Sequence, residues 1–276
     1  MSVQLTGNDS LPAVSEKPNA ARMYDYFLGG FHNFAIDRAA AERVRAIYPD
    51  VARVMAVNRA FLRRAVRFLL AQGIDQFLDL GSGIATVGSV HEIVQGINPD
   101  AHVVYVDSDP VAVEHTRALL GDTPTVTIVE ADASDVPGIL THPDVHRLLD
   151  FSRPVGVLLI ALLHFITSDD EAYGLVRGLR DALAPGSAIV IAHGTLDDVP
   201  EAVGRQLAQL YTGTTHPTHA RSREAIEAFF AGLTLVEPGV VLAPLWRPES
   251  PRDLFLNEPG RAINYVGVGM KPLPSP

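Results

Sequence analysis

No cysteine occurs among the 276 residues, which excludes disulfides, thiolate metal centres, iron–sulfur clusters and a cysteine nucleophile. Basic residues are scarce as well: 22 Lys and Arg stand against 32 Asp and Glu, a formal net charge of −10. That balance argues against a surface built to hold nucleic-acid phosphates, which needs clustered Lys and Arg. Long apolar runs are missing too. The longest, residues 155–166, is about a dozen residues and contains His164, whereas a membrane span needs about 20. Residues 1–17 lack the basic-then-apolar order of a secretory signal. The expectation is a soluble, cytoplasmic protein with neither a nucleic-acid nor a membrane partner, and with homo-oligomerisation left open.

What the chain does contain is enough apolar sequence, 47% of residues against 20% charged, to bury the core of one large domain. Its pattern divides it into a flexible leader (1–17), an N-terminal helical cap or lid (18–73), and a core (74–276) with a helical insertion at about 197–232. In the cap, helices are expected over 37–48 and 50–72, with Asp37 and Asp50 as N-caps and Gly73 as a left-handed C-terminal cap. After Gly73 the period changes. Strands are expected at 76–80, 102–107, 125–130, 155–161 and 187–193. Helices fall between them, up to about residue 95 and over 110–120 and 169–183. Helices at 200–211 and 223–231 and β-like segments at 235–242 and 264–270 close the chain. Strands that are mostly apolar throughout and alternate with helices describe a parallel, doubly wound α/β sheet covered on both faces.

Ligands of such sheets bind beyond the carboxyl ends of the strands. Here the first strand ends Asp79-Leu80-Gly81-Ser82-Gly83, where glycines let backbone amides approach a ligand closely. The second ends in Asp107, 24 residues past Gly83, a spacing suited to a carboxylate that accepts both hydroxyls of a ribose. The third ends Glu130-Ala131-Asp132-Ala133, offering an acid to the exocyclic amine of adenine. Each Asp alone also fits a helix cap; three in register describe an adenosine pocket. A pyrophosphate is disfavoured, because Asp79 would repel it and Thr86 occupies the third glycine position of the dinucleotide fingerprint. Asp79 fits a ligand with a cationic amine, as in the amino-acid tail of S-adenosylmethionine, or alternatively braces the turn.

Residues 77–83, Phe-Leu-Asp-Leu-Gly-Ser-Gly, and 103–110, Val-Val-Tyr-Val-Asp-Ser-Asp-Pro, resemble the class I S-adenosylmethionine-dependent methyltransferases. More specifically, residues 21–26 (Ala-Arg-Met-Tyr-Asp-Tyr), Leu28-Gly29-Gly30, Asn33-Phe34, Asn58-Arg59, residues 61–64 and Trp246-Arg247-Pro248 resemble a bacterial "S-adenosyl methyltransferase" family. The resemblance covers nearly everything from Pro18 onward. It implies a Rossmann-like class I methyltransferase fold, with an antiparallel C-terminal finish and N-terminal helices as a cap, and S-adenosylmethionine as cofactor. It names no substrate. Ala85 stands where a third glycine is common in the superfamily.

The implied cofactor contacts are Asp79, Gly81, Ser82 and Gly83 for the tail, Asp107 and Ser108 for the ribose, and Asp132 and Ala133 for the base. Five aromatics, Tyr24, Tyr26, Phe27, Phe31 and Phe34, surround Gly29-Gly30. They read either as a helix docked on the sheet or as a lid hinged at the glycines, with Tyr24, Gly30 and Asn33 as further cofactor contacts. His164, after the fourth strand, is a candidate general base or a hydrogen-bonded strand terminus, and Tyr26 joins it as a candidate catalytic residue. His193 carries the same ambiguity. Arg59, Arg63, Arg64 and Arg67 read as a solvated helix face, with Arg59 alternatively reaching the cofactor carboxylate. His216 and His219, with no carboxylate beside them in sequence, do not make a metal site. The expected activity is methyl transfer to an oxygen or nitrogen of a small molecule. The rivals are a non-catalytic S-adenosylmethionine sensor and, below it, an NAD(P)-dependent oxidoreductase.

Overall fold

The computed structural model describes residues 17–85 and 88–274; the expected leader and Thr86 therefore lie outside the described residues, apart from Lys17. Helices α1 (Ala20–Phe27), α2 (Ala35–Ile47) and α3 (Val51–Ala71) precede the sheet. Strands β1 (Gln76–Leu80), β2 (His102–Asp107), β3 (Val126–Glu130), β4 (Gly156–Ile160) and β5 (Ala188–Gly194) are parallel. Short β6 (Thr234–Leu235) and β7 (Val241–Leu242) precede β8 (Asn264–Met270), which runs antiparallel to β5 with Ala188 opposite Met270 and Gly194 opposite Asn264. The order is β3-β2-β1-β4-β5-β8-β6, with β7 also on β8. The chain winds outward from β1 in one direction and from β4 in the other, so the crevice lies at the carboxyl ends of those two strands.

The connecting helices are α4 (Val90–Gln95), α5 (Pro110–Leu120), α6 (Val136–Thr141), α7 (Pro143–Leu148), α8 (Asp169–Ala182), α9 (Glu201–Tyr211) and α10 (Arg223–Ala228). Strand side chains alternate between two cores. Phe77, Val103, Tyr105, Leu158 and Val190 pack with Phe61, Leu62, Ala65 and Leu69 of α3, while Leu78, Val104, Val106, Val157 and Ile191 face Leu148, Leu175 and Leu179 of α7 and α8. Both faces are covered, which is why the strands are mostly apolar, with Asp79, Asp107, Glu130 and His193 falling at or near their carboxyl ends. Gly73 ends α3 at φ +83°, with the Ile74 amide donating to the Leu69 carbonyl.

Several boundaries depart from the sequence pattern. Asp37 is not an N-cap: α2 begins two residues earlier, and the Asp37 carboxylate instead accepts from the backbone amides of Phe34 and Asn19. Asp50 does precede α3, but its carboxylate serves Arg261 and Arg53 rather than the helix amides. The 235–242 segment is two separate two-residue strands, because a loop containing Pro238 interrupts it. Helices α6 and α7 were not visible in the pattern, each being six residues long with a proline in its first turn. Among the described residues no helix is long and apolar enough to cross a membrane.

Candidate functional site

The carboxyl ends of β1 to β5, roofed by α1, α3 and α9, enclose a cavity of about 500 Å³. At the β1 end, Gly81 and Gly83 adopt φ +66° and +61°. Both need glycine for backbone conformation; a side chain at Gly81 would also press on Leu162 at 2.5 Å, while one at Gly83 would come only within 3.3 Å of Ala21. Asp107 clamps this loop. Its Oδ2 accepts the Gly83 amide at 2.7 Å and its Oδ1 the Asp109 amide at 2.9 Å, leaving one lone pair on each oxygen for a ligand. Burial pushes the Asp107 carboxyl upward, and those two amides pull it back. Asp132 accepts from the amide and hydroxyl of Ser134, which hold its carboxyl below the ordinary range. Ser82, Ser108 and Ala133 complete this wall.

Asp79 is 7% exposed, and burial pushes its carboxyl up to about 7, opposed by the Arg59 charge and reinforced by Asp107. Among the described residues nothing donates a hydrogen bond to it. Arg59 projects from α3 with its guanidinium 5.3 Å from the centre of the Tyr24 ring, and its buried Nε has no partner. Among the described residues, a buried acid and a cation whose Nε is unpartnered therefore line one cavity without forming a contact ion pair. Beside them Tyr24 donates to the Met55 carbonyl and accepts from Asn58 Nδ2, and Asn58 Oδ1 accepts from Asn264 Nδ2.

On the β4–β5 side, Ala161 leaves β4 at φ +57° and a 3₁₀ turn (Leu163–Phe165) brings His164 into the cavity. His164 Nδ1 accepts the Gly194 amide at 3.3 Å, so the neutral ring carries its hydrogen on Nε2. Burial, with the Arg221 charge, pushes His164 down to about 4. His193 is driven further, to about 2, by burial and by His164; its Nδ1 donates to the Gly194 carbonyl and its Nε2 accepts from Arg221. Arg221 also donates to the carbonyls of Leu163 and Ile166 and to Asp169, tying the turn in place. Neither histidine is a strong base, and His193 is spent on structure. Tyr211 of α9 completes this end, its phenol raised to about 12 by burial.

A family profile described as S-adenosyl methyltransferase matches residues 8–272. The chain belongs to the S-adenosyl methyltransferase family. Within reach of this family member are two crystal structures. One is a candidate methyltransferase from Thermobifida fusca YX, 43% identical over 93% of this chain and 96% of that one, with TM-score 0.86. The other is a DUF574 family protein from Streptomyces avermitilis MA-4680, 37% identical over 93% and 98%, also at 0.86. Human N-acetylserotonin methyltransferase, solved with S-adenosylmethionine, shares the fold at 16% identity and TM-score 0.51, over 94% of this chain and 64% of that one. No curated protein matches the sequence. The doubly wound sheet with an antiparallel last strand is thus the Rossmann-like methyltransferase fold.

Not every residue expected at the site of this methyltransferase family member is there. Asp79, Gly81, Ser82, Gly83, Asp107, Ser108, Asp132, Ala133, Tyr24 and His164 line the cavity; Tyr26, Gly30 and Asn33 do not. Tyr26 points outward, its hydroxyl donating to Glu42 and its ring beneath Arg45. Helical spacing explains this, since Tyr24 and Tyr26 lie about 200° apart around α1. Tyr26→Phe should leave cofactor affinity unchanged, as calorimetry would read. Asn33 and Gly30 serve the buried Asp25 instead: Asn33 Nδ2 donates to Asp25 Oδ2 at 2.8 Å, and a side chain at Gly30 would fall 1.9 Å from Asp25 Oδ1. Gly30 is packed against Asp25, whereas Gly29 holds φ +81° in open space, and Phe31 beside them is 93% exposed rather than closed over the cavity. Gly30→Ala should therefore cost about 1–3 kcal/mol through overpacking, visible as a lowered Tm.

The arginines of α3 also separate. Only Arg63 and Arg67 form a solvated pair, on Glu249; Arg64 is buried, donating to the carbonyls of Trp246 and Ala243, and Arg59 enters the cavity. His219 lies 3.5 Å from Asp169, but no cluster of three potential metal ligands exists among the described residues.

Proposed function

We propose that this protein transfers a methyl group from S-adenosylmethionine to an oxygen or nitrogen of a small molecule. One observation carries the reading: the acids ending β1, β2 and β3 line a single cavity around a loop whose two glycines hold positive φ and lie close against Leu162 and Ala21. The cofactor's functional groups match what that cavity leaves unsatisfied. The Asp79 carboxylate suits an ammonium, and Arg59, with a buried Nε lacking any partner, suits a carboxylate, so together they complement an amino-acid tail. The free lone pairs of Asp107 suit ribose hydroxyls, and Asp132 suits an adenine amine. A diphosphate would set its charges against Asp79 and Asp107, which disfavours a nicotinamide dinucleotide.

When bound, S-adenosylmethionine supplies an electrophilic methyl on its sulfonium. This chain's own residues then have binding and orienting to do. Gly81 and Gly83 let the backbone approach, Tyr24 and Phe27 help exclude water from the roof, and His164 presents an N–H at Nε2 to the acceptor end. With its ring held down to about 4, His164 is a donor that orients an acceptor, and a neutral amine or a phenolate, whose lone pair is already free to attack, needs no stronger base, the extra proton of a methylated amine passing to solvent. The enclosed volume and acidic surface favour a small acceptor over a nucleic acid.

The test is formation of S-adenosylhomocysteine when protein and S-adenosylmethionine are incubated with fractionated small-molecule extracts. Turnover supports transfer. Tight binding with no turnover in any fraction would favour the sensor reading, which the weak basicity of His164 and His193 keeps alive. No binding at all would end both.

A further inference from the structure

Arg22, the second residue of the Ala-Arg-Met-Tyr-Asp-Tyr block, is 1% exposed and does not line the cavity. Its Nε donates to Asp37 Oδ2 and its Nη1 to Asp109 Oδ2, both at 2.8 Å, across 15 and 87 residues of sequence. Each acid is committed further. Asp37 accepts the amides of Asn19 and Phe34, which fixes the start of α1 against α2. Asp109 caps α5 by accepting the Val111 amide, and its own amide donates to Asp107 Oδ1. A continuous chain of charge-assisted bonds thus runs from α2 through Arg22 to the acid at the end of β2. A buried arginine with one nitrogen, Nη2, left unsatisfied is costly, and general stability would be served as well by apolar packing.

We propose that Arg22 is a positioning residue for Asp107, acting through Asp109; this rests on the reading that Asp107 receives the ribose. Two acids lie in sequence within two residues of each other, and only an ionised Asp107 accepts from both ribose hydroxyls. Arg22 neutralises the second acid and holds it so that its amide, rather than its charge, dominates at Asp107. The charged and titratable groups facing Asp107 are Asp109 from its own turn, Asp79 from β1 and His216 from the loop after α9. Of these, the Asp109 charge raises Asp107 and His216 lowers it.

The experiment follows binding of 5′-methylthioadenosine, a nucleoside thioether without the amino-acid tail, by calorimetry from pH 4.5 to 8.5, so that Asp79 has no ligand ammonium to meet. In Arg22→Gln the acid limb of the affinity profile should move up by about one pH unit, which is about tenfold weaker binding at any pH on that limb. Arg22→Gln/Asp109→Asn should return it to the wild-type position or below, because the unneutralised charge is gone. A purely structural arginine would weaken binding evenly across pH and would not be rescued by removing a second partner; either result overturns the proposal. Should Arg22→Gln fail to fold, Asp109→Asn alone is expected to move the limb downward, and an unmoved limb overturns it equally. Wild-type protein that binds S-adenosylhomocysteine at pH 8 but never the nucleoside would refute the strut while sparing the cofactor; binding neither would refute the functional reading itself.

Discussion

Asp107→Ala should weaken S-adenosylhomocysteine binding by more than about 100-fold. The carboxylate has two tasks, and alanine abolishes both. As a ligand group it offers one free lone pair on each oxygen, and hydrogen bonds to a charged partner contribute about 1.5–3 kcal/mol each, so losing two costs about 3 kcal/mol or more. As a brace it accepts the Gly83 and Asp109 amides at 2.7 and 2.9 Å, and both would be left without that partner. Asp107→Asn sharpens the point. An amide can accept only one of those two backbone N–H groups and turns its own N–H₂ toward the other, so the isostere should be nearly as damaging as alanine. Calorimetry on variants with unchanged circular dichroism reads this. An affinity within threefold of wild type for Asp107→Ala would remove Asp107 from the site.

The part of this arrangement that could be read in the sequence is the part written locally. β1, β2, β3 and β5 announce themselves because each is a largely apolar run that stops at an acid or a glycine, β4 by its apolar run alone, and the crevice of a doubly wound sheet must lie where those runs stop. Asp79, Gly81, Gly83, Asp107 and Asp132 follow from that rule alone. What escaped depends on distance. Arg22 meets Asp109 across 87 residues, and nothing in the local sequence distinguishes it from an ordinary surface arginine of a short amphipathic helix. Arg59, Arg63, Arg64 and Arg67, four of the five arginines of α3, share one helix but three fates, decided by what lies opposite: Glu249, the carbonyls of Trp246 and Ala243, or the cavity. Helical phase was the usable signal left unused. Tyr24 and Tyr26 cannot face the same way on one helix, and Arg64 lies about 140° around α3 from Arg59, whereas Arg63, one turn on from Arg59, shares its side and differs from it only by position along the axis. The Gly29-Gly30 pair reads two ways for a physical reason. Glycine permits a hinge and equally permits a carboxylate to lie against the backbone, and at Gly30 the carboxylate of Asp25 occupies the space a Cβ would need.

The affinity for S-adenosylhomocysteine should rise with pH and then level off near 7, and Asp79 is the reason. In the free protein, burial keeps the Asp79 proton on up to about pH 7, with Asp107 reinforcing it and Arg59 opposing it, because among the described residues the carboxylate has neither a hydrogen bond nor a contact ion pair. The ligand's ammonium requires that proton to leave. Below about 7, binding must expel it, so affinity should climb by up to tenfold per pH unit and flatten once Asp79 is already ionised. The unliganded protein should show the opposite slope in stability. Its folded state retains a proton that the unfolded chain, with an ordinary carboxyl near 3.8, has released, so this contribution is fully present below about pH 4 and is lost as pH rises to about 7. Asp79→Asn separates the two effects cleanly. It should flatten that component of the stability profile, raise thermal stability at pH 8, and bind the cofactor product more weakly there with most of its pH dependence gone. Calorimetry in buffers of differing ionisation enthalpy reads the expelled proton directly. A wild-type affinity that is level between pH 5 and 7, or a slope that survives intact in Asp79→Asn, would mean that the acid at the end of β1 only braces its turn and that the ammonium is held elsewhere.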